Sequence, residues 1–298
     1  FTSASKTAFQ DEGVRFININ VMEFDAYKQS ALPLVGDAKV TLEELSALLG
    51  DHATSTAYQN RAQQFNREWD AEVHRIYHLE HEPMLSQGEV IGMVNTQSRA
   101  QDVVLCAAGS MPGDLHKLWR TREARGYHLE YGYSCMGYEI AGGLGVAMAD
   151  PEREVYVMVG DASFLMMHSE IVTMAQEGIK VTIIVVDNHG YASIGGLSKS
   201  VGSDGFGTKY RYRNPDDNQL TGDTLPIDFA QTCASLGAKV FVAKTREAFS
   251  QAIEDAKAIK NRPVCIVTET DRRQRVDGYE SWWDVAVAEV SDNPDVQA

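Results

Sequence analysis

Two polar clusters, each following an apolar run, could together hold a metal ion. Asp161 comes after the run 155–159, and Asn188 follows the run 181–186, 27 positions further along the chain. The segment 165–178 between them has a helical pattern, so the order is strand, helix, strand. A parallel crossover brings both strand ends to one edge of a sheet, where open α/β sheets bind ligands. A carboxylate and an amide oxygen there suit Mg²⁺, which usually keeps a substrate phosphate in its shell.

An ordinary structural role is the alternative for the same residues. Asp161 or Ser163 could cap a helix N-terminus, and 187–190 could form a turn. We favour the metal site, because the spacing and the strand–helix–strand context both meet the requirements of a ligand site.

The two clusters resemble the metal-diphosphate motif of thiamine diphosphate (ThDP) enzymes, in which Gly-Asp-Gly is followed at this spacing by Asn-Asn. The sequence has Gly-Asp-Ala-Ser at 160–163 and Asp-Asn-His-Gly at 187–190. It therefore departs from the motif at Ala162, which replaces a glycine, and at Asp187, which replaces the first asparagine. The resemblance implies that Mg²⁺ binds the side chains of Asp161 and Asn188 and the carbonyl oxygen of Gly190, and that the cofactor diphosphate completes the shell.

Two further stretches fit the rest of a ThDP site. Small residues in the strand-to-helix turn 107–114 would let backbone N–H groups approach an anion, although an ordinary turn is the alternative reading. The glycine-rich segment 132–145 resembles that of acetolactate-synthase-like ThDP enzymes, in which a bulky apolar residue wedges between the cofactor rings. Met136 matches this place, although Met is also a common core residue. By resemblance, we expect the cofactor to contact Ser110, Met111, Gly113, Met136, Gly160, Ala162, Ser163, His189 and Gly190.

The composition argues against several other classes of protein. A formal net charge of −15 is unfavourable for a general nucleic-acid surface. The longest aliphatic runs are too short to span a bilayer, and no charged-then-apolar segment opens the sequence, so we expect no membrane partner. Four cysteines without a Cys-x-x-Cys pair argue against a zinc site or a disulfide framework, so we expect a reducing, cytoplasmic location.

Strand and helix patterns alternate from Pro83 to about Thr270, which predicts an α/β fold: a doubly wound parallel sheet with helices on both faces. By resemblance this is the ThDP-binding fold, in its diphosphate-binding domain. The patterns predict strands at 102–108, 154–160, 180–186, 239–243 and 263–268. They predict helices at about 114–120, 136–149, 165–177, 227–236 and 246–260.

Four regions follow from these patterns and from the resemblance. They are 1–55, the incomplete end of a central domain; 56–85, a helical linker; 86–272, the ThDP diphosphate- and Mg²⁺-binding domain; and 273–298, a C-terminal tail. The first region contains a predicted strand at 15–21 and a helix capped by Thr41, which cannot bury a core alone. We therefore expect the chain to be the C-terminal part of a longer polypeptide.

Three stretches, 107–120, 128–139 and 206–214, are most similar to the inositol-catabolism hydrolases of this family. The similarity implies ThDP- and Mg²⁺-dependent hydrolysis of a C–C bond in a trihydroxylated cyclic dione, giving 5-deoxyglucuronate, with the thiazolium accepting the electron pair. A polyhydroxylated substrate needs several polar contacts. The candidates are His116, His128, Glu130, Lys209, Arg211 and Arg213, for which surface charge and helix capping are an equal alternative.

The carboxylate that activates the cofactor is expected outside this sequence. ThDP enzymes take this Glu from a pyrimidine-binding domain, and no second α/β domain of the needed size is predicted before residue 83. We therefore expect such an N-terminal domain, in the same or another chain, and a homodimer or homotetramer. Three alternatives stay open: another ThDP lyase or carboligase of acetolactate-synthase type, a non-catalytic cofactor-binding fragment or subunit, and a Mg²⁺-dependent phosphate-binding protein unrelated to thiamine.

Overall fold

The computed structural model describes residues 8–130 and 132–279, and these form two compact units. One unit takes the chain up to Asp70 together with Gly278 and Tyr279, and the other runs from Ala71 to Asp277. Most of the predicted tail, 280–298, lies outside the described residues. Among the helices of the described ranges, none is both long enough and apolar enough to cross a membrane.

The first unit is built on two short parallel strands, β1 (Ile17–Asn20) and β2 (Leu32–Val35). Its helices are α1 (Glu23–Ala26), α2 (Ala38–Leu49) and most of α3 (Thr56–Tyr77). The prediction that Thr41 caps α2 is wrong. The helix begins at Ala38, because the side chain of Asp37 accepts a hydrogen bond from the backbone N of Val40 at 3.1 Å.

The second unit contains a six-stranded sheet in which every pairing is parallel. Its strands are β3 (Val103–Cys106), β4 (Tyr127–Leu129), β5 (Val155–Gly160), β6 (Thr182–Asp187), β7 (Lys239–Val242) and β8 (Val264–Glu269). Their order in the sheet is β4-β3-β5-β6-β8-β7. The central strands are buried on both faces, which explains why they are continuous apolar runs rather than alternating ones.

Helices cover both faces of this sheet. They are α4 (Gln87–Gln97), α5 (Ser110–Leu118), α6 (Tyr138–Ala149), α7 (Asp161–Met166), α8 (Glu170–Glu177), α9 (Ala192–Ser200), α10 (Phe229–Ser235) and α11 (Arg246–Ala258). Leu144 of α6, Met174 of α8 and Phe229 of α10 pack with Val157 and Ile183 in one buried cluster. On the part of the sheet outside that cluster, α4 contacts α5 and α11, α5 contacts β5, and α11 contacts β7 and β8. The predicted fold class is therefore confirmed.

Several elements differ from the sequence prediction. The predictions omit β4, a three-residue edge strand, and α4, whose buried face carries polar Gln87 and Glu89 and so lacks apolar periodicity. The helix predicted to start at 114 begins at Ser110. Pro112 does not prevent this earlier start, because it falls in the first turn of the helix, where a proline is tolerated. The predicted helix 165–177 is two helices, α7 and α8, and the first begins at the motif aspartate.

Candidate cofactor and metal site

The order in which successive strands join the sheet reverses at β3, and a pocket lies at that point. The chain goes from β3 to β4 on one side and then returns to β5 on the other, so the segments that follow β3 and β5 diverge and leave a crevice. The pocket lining comprises 108–111 after β3, Met136 before α6, 160–163 after β5, and 188 with 190–194 after β6. The structure thus brings together residues that are up to 86 positions apart in sequence, from Ala108 to Ile194.

Asp161 joins two of these loops. It is 1% exposed, and its carboxylate accepts hydrogen bonds from the backbone N of Ala162 at 2.9 Å and of Gly190 at 2.7 Å. Burial raises the pKa of the Asp161 carboxyl to about 7; the Gly190 hydrogen bond opposes this increase, and the neighbouring charge of Asp187 adds to it. A cation bound to Asp161 would favour the ionised form.

Asn188 carries the polar atom of the pocket that the protein leaves unused. Its side chain is buried, and Oδ1 has no hydrogen-bond partner among the residues that the structure describes. A buried amide oxygen without a hydrogen-bond partner lowers the stability of the fold, and a ligand that bound this oxygen would offset that loss. Next to it, Gly190 has a φ of +137°, and a Cβ there would lie 2.4 Å from the carbonyl oxygen of Thr208. The loop therefore needs glycine at this position.

The donor set fits a magnesium ion. It would consist of the Asp161 carboxylate, the Asn188 amide oxygen and the Gly190 carbonyl oxygen, and hard oxygen ligands of this kind suit Mg²⁺. In residues 8–130 and 132–279, no group of three or more His, Cys, Asp or Glu side chains could hold a metal ion. A cation here would therefore depend on the amide, the carbonyl and oxygens of a bound ligand, as Mg²⁺ with a phosphate does.

Most of the predicted cofactor residues lie together. The pocket lining includes Ser110, Met111, Met136, Gly160, Ala162 and Ser163, in addition to the three candidate metal ligands. Gly113 and His189 are not part of this lining. The hydroxyl of Ser163 donates to the carboxylate of Glu139, and the ring Nε2 of His189 lies 2.7 Å from Oε1 of Glu269. The roles of all these residues stay predictions.

The turn after β3 presents a helix N-terminus to the pocket. Gly109 precedes α5 with a φ of +93°, a conformation that favours glycine. Ser110 donates to Oε1 of Gln87 at 3.4 Å, and Gln87 in turn donates to Asp114 at 2.6 Å. Sequence reasoning missed Gln87, because nothing in the sequence pairs α4 with this turn. It also missed Glu139, for which a lone acid within a glycine-rich apolar segment was an available signal.

A larger groove adjoins the metal loop, which is the segment 188–190, at Asn188 and His189. Two acidic side chains line it, Glu269 and Asp271. Its cationic side chains number six: Lys199, Lys209, Arg211, Arg272, Arg273 and Arg275. Burial, together with the neighbouring positive charges, lowers the pKa of Lys209. The groove is thus locally positive in a chain whose net charge is −15.

The six predicted substrate residues divide between this groove and other places. Lys209 and Arg211 line the groove, and the remaining four line neither pocket. Among those four, His128 lies 2.8 Å from the Tyr138 hydroxyl, and Glu130 accepts hydrogen bonds from two backbone N–H groups. Arg213 donates to Asn218, and His116 is exposed on α5. Sequence reasoning missed the arginines at 272, 273 and 275, which follow the last strand of the sheet.

Comparison with known proteins identifies the class. Residues 107–268 match the family described as "Thiamine pyrophosphate enzyme, C-terminal TPP binding domain", thiamine pyrophosphate being another name for ThDP. The chain therefore belongs to the thiamine diphosphate enzymes, and the predicted family is confirmed.

Within this family, the chain is similar to proteins named 3D-(3,5/4)-trihydroxycyclohexane-1,2-dione hydrolase. It is 39% identical to that of Bacillus cereus (strain AH820) over 322 residues and 37% identical to that of Clostridium botulinum (strain Alaska E43 / Type E3) over 319 residues. These comparisons cover 100% and 99% of this chain but 50% of each relative. The chain thus spans about half the length of the curated relatives it matches.

Proposed function

We propose that this chain is the cofactor-binding part of a ThDP- and Mg²⁺-dependent enzyme. The observation that carries the proposal is the Oδ1 atom of Asn188, buried without a partner among the described residues, in the same pocket as Asp161. An atom of this kind is costly unless a ligand uses it, and its oxygen chemistry is that of a magnesium site. The family membership supplies the cofactor that such a cation would hold.

In this proposal each loop of the pocket has one task. Asp161, Asn188 and Gly190 hold Mg²⁺, and the N-terminus of α5 at Ser110 and Met111 receives the diphosphate. Met136 packs against the cofactor rings, and the small residues of 160–163 allow the backbone to approach. When bound, ThDP supplies a carbon nucleophile and an electron sink for cleavage of a C–C bond.

For the reaction, we propose hydrolysis of 3D-(3,5/4)-trihydroxycyclohexane-1,2-dione to 5-deoxyglucuronate in myo-inositol catabolism. The name shared by the relatives, at 37–39% identity over the whole chain, supports this substrate. The cationic groove supports it independently, because a neutral dione becomes a carboxylate in this reaction. Lys209 and Arg211 are the groove residues proposed to bind that carboxylate or the substrate hydroxyls.

The proposed active enzyme needs more than this chain. A pyrimidine-binding domain, in the same or another polypeptide, would supply the Glu that activates the cofactor, and the relatives are long enough to contain it. We propose a homodimer or homotetramer in the cytoplasm. This arrangement predicts that the chain of 298 residues binds the cofactor without turning over the dione, whereas a full-length gene product does turn it over. Product analysis with the dione and with pyruvate separates the proposed hydrolase from a carboligase.

Calorimetric titration of the chain with ThDP and Mg²⁺ tests the cofactor site. We expect binding that requires Mg²⁺ and that is lost in Asp161→Ala, while inorganic diphosphate with Mg²⁺ binds more weakly because it lacks the rings that Met136 would contact. The same titration on the full-length gene product controls for parts of the site that lie outside this chain. Absence of Mg²⁺-dependent binding in both proteins would contradict the proposal.

A further inference from the structure

We infer that Glu139 is a positioning residue that ties together three loops of the cofactor pocket. It lies in the first turn of α6 and is 1% exposed, and it is not part of the pocket lining. It therefore acts through its neighbours rather than by touching a ligand. The inference rests on the proposed function for its consequence, which is cofactor affinity, but the tethering itself is a property of the protein alone.

The Glu139 carboxylate accepts hydrogen bonds from three segments. Both oxygens accept from the Ser163 hydroxyl, at 2.8 and 2.9 Å. Oε2 accepts from the backbone N of Gly137 at 2.9 Å, and Oε1 accepts from the backbone N of Ala108 at 3.4 Å, the longest of the four contacts. The Gly137 N–H also donates to the Ser163 hydroxyl oxygen at 2.8 Å, so three of these groups form a closed triangle.

Each partner of Glu139 stands beside a pocket residue with a proposed task. Ala108 lines the pocket and precedes the turn that opens α5. Gly137 directly follows Met136, and Ser163 stands two positions after Asp161. A single carboxylate thus links the turn proposed to bind the diphosphate, the residue proposed to contact the rings, and the segment that carries Asp161. Bonds to a charged acceptor are stronger than bonds between neutral groups, which suits a residue that must hold loops in place.

The backbone around Gly137 is fixed in the same way. Its φ is +93°, and a Cβ at this position would lie 2.8 Å from Cβ of Met167 at the end of α7. Because the amide of Gly137 is the shared donor of the triangle, its orientation determines how Met136 enters the pocket. Glycine at 137 and the acid at 139 therefore serve the same local geometry.

Glu139 is buried and has no cationic partner among the described residues, so it is a costly choice for a purely structural role. In the described part of the chain, no Lys, Arg or His side chain forms an ion pair with it, and burial raises the pKa of its carboxyl group. An acid in this situation costs stability unless its hydrogen bonds compensate. Of the three other buried acids, Glu89 and Asp102 each have an arginine partner, and Asp161 is a candidate metal ligand. Glu139 is compensated by hydrogen bonds from the three loops alone.

The test compares Glu139→Gln with Asp102→Asn as a matched control. Asp102 is also buried, and it accepts hydrogen bonds from the backbone N and Nε of Arg99, just before β3 and so at the opposite end of that strand from Ala108. Amide hydrogen exchange is measured without cofactor on peptides spanning 107–111 and 134–139, and ThDP affinity is measured with saturating Mg²⁺. We expect Glu139→Gln to speed exchange in both peptides and to raise the Kd for ThDP by at least about tenfold, and Asp102→Asn to change neither.

A third variant keeps the test decisive. Ser163→Ala removes one corner of the triangle, and with it two of the three sides, so it should speed exchange around Gly137, and its effect should not add to that of Glu139→Gln in the double variant. If Glu139→Gln does not fold, the Ser163→Ala result alone decides. Unchanged exchange in both peptides, with a change in thermal stability only, would overturn the inference. If the variants exchange faster but the wild type itself binds no ThDP, the inference about Glu139 holds and the proposed function fails.

Discussion

Asn188 and Asn95 are both buried asparagines, but the protein satisfies only one of them. Oδ1 of Asn188 has no partner in the described ranges, whereas Asn95 donates to the Arg120 carbonyl oxygen at 3.2 Å and accepts from the Tyr77 hydroxyl at 3.4 Å. Buried polar groups stabilise a fold only when they are paired. The contrast separates a side chain that serves a ligand from one that serves the fold.

This contrast predicts opposite effects for the same substitution. Asn188→Ala should change the free energy of unfolding without ligand by less than about 1 kcal/mol, because the Oδ1 atom lost with the amide has no hydrogen-bond partner among the described residues, and should abolish Mg²⁺-dependent ThDP binding. Asn95→Ala should lower the free energy of unfolding by about 1–3 kcal/mol and leave binding intact. Urea unfolding and calorimetry measure both quantities. Equal ThDP affinity in the wild type and Asn188→Ala would refute the assignment.

The sequence was informative about side chains where chain connectivity alone brings them together. Asp161 and Asn188 end neighbouring strands of one crossover, so their meeting in one pocket follows from the order of elements. The contact between Glu139 and Ser163 could not be predicted, because it depends on the packing of α6 against α7 over 24 positions. The arginines at 272 and 275 belong to the same category, since they reach backbone carbonyls about 80 residues earlier in the chain.

The helix α6 approaches β5 closely at Gly143. A Cβ on Gly143 would be 2.3 Å from Cγ2 of Val157, whereas a Cβ on Gly145, two positions further along the same helix, would meet nothing within 4 Å. Glycine at 143 therefore allows the helix to approach the strand, and glycine at 145 does not have this role. Because α6 also begins at the pocket, its distance from the sheet affects the site.

A pair of alanine substitutions tests this close approach. Gly143→Ala should lower the free energy of unfolding by about 1–3 kcal/mol, because the added methyl group overpacks the interface between helix and sheet. Gly145→Ala should raise it by up to about 1 kcal/mol, because alanine is the better helix former. Urea denaturation with a constant m-value gives both numbers. Equal stability of the two variants would show that the helix can shift outward without cost.

Among the elements, the strands with continuous apolar runs were predicted with both ends within about two residues of the observed ones. Parallel strands that are covered on both faces need apolar side chains at every position, which makes them conspicuous. The helix α4 could not be found in this way, because its capping box and other polar side chains are buried. The division between α7 and α8 was also missed, since Met166 and Met167 continue the apolar character across the break.

The charge of the whole chain and the charge of the groove have opposite signs. The net charge of −15 repels anions at long range, whereas the groove beside the metal loop carries an excess of positive side chains. An anion is therefore favoured at this location and disfavoured over most of the remaining surface. At physiological ionic strength the distant negative charges are screened over about 8 Å, so the groove gains relative influence over a ligand close to it.

Charge reversal in the groove should weaken binding of a sugar acid. With glucuronate as the probe, Lys209→Glu should raise the Kd about three- to tenfold at low salt, because it replaces an attraction with a repulsion. Lys260→Glu, the same charge change at an exposed position outside the groove, should leave the Kd almost unchanged. Titrations followed by NMR at two salt concentrations measure the effect. Equal losses in the two variants would mean that net charge alone governs binding.

The buried acid in the first turn of α6 has a consequence for any effort to make this protein more heat-resistant. Because Glu139 lacks a cationic partner in the described chain, replacing it with glutamine, which keeps an acceptor oxygen, is expected to be tolerated by the fold or to strengthen it. An apolar side chain would instead leave the backbone N–H groups of Ala108 and Gly137 without this acceptor. Selection for thermal tolerance alone would therefore remove this acid, and selection for cofactor retention would restore it. Position 139 is where stability and cofactor affinity are expected to trade off against each other.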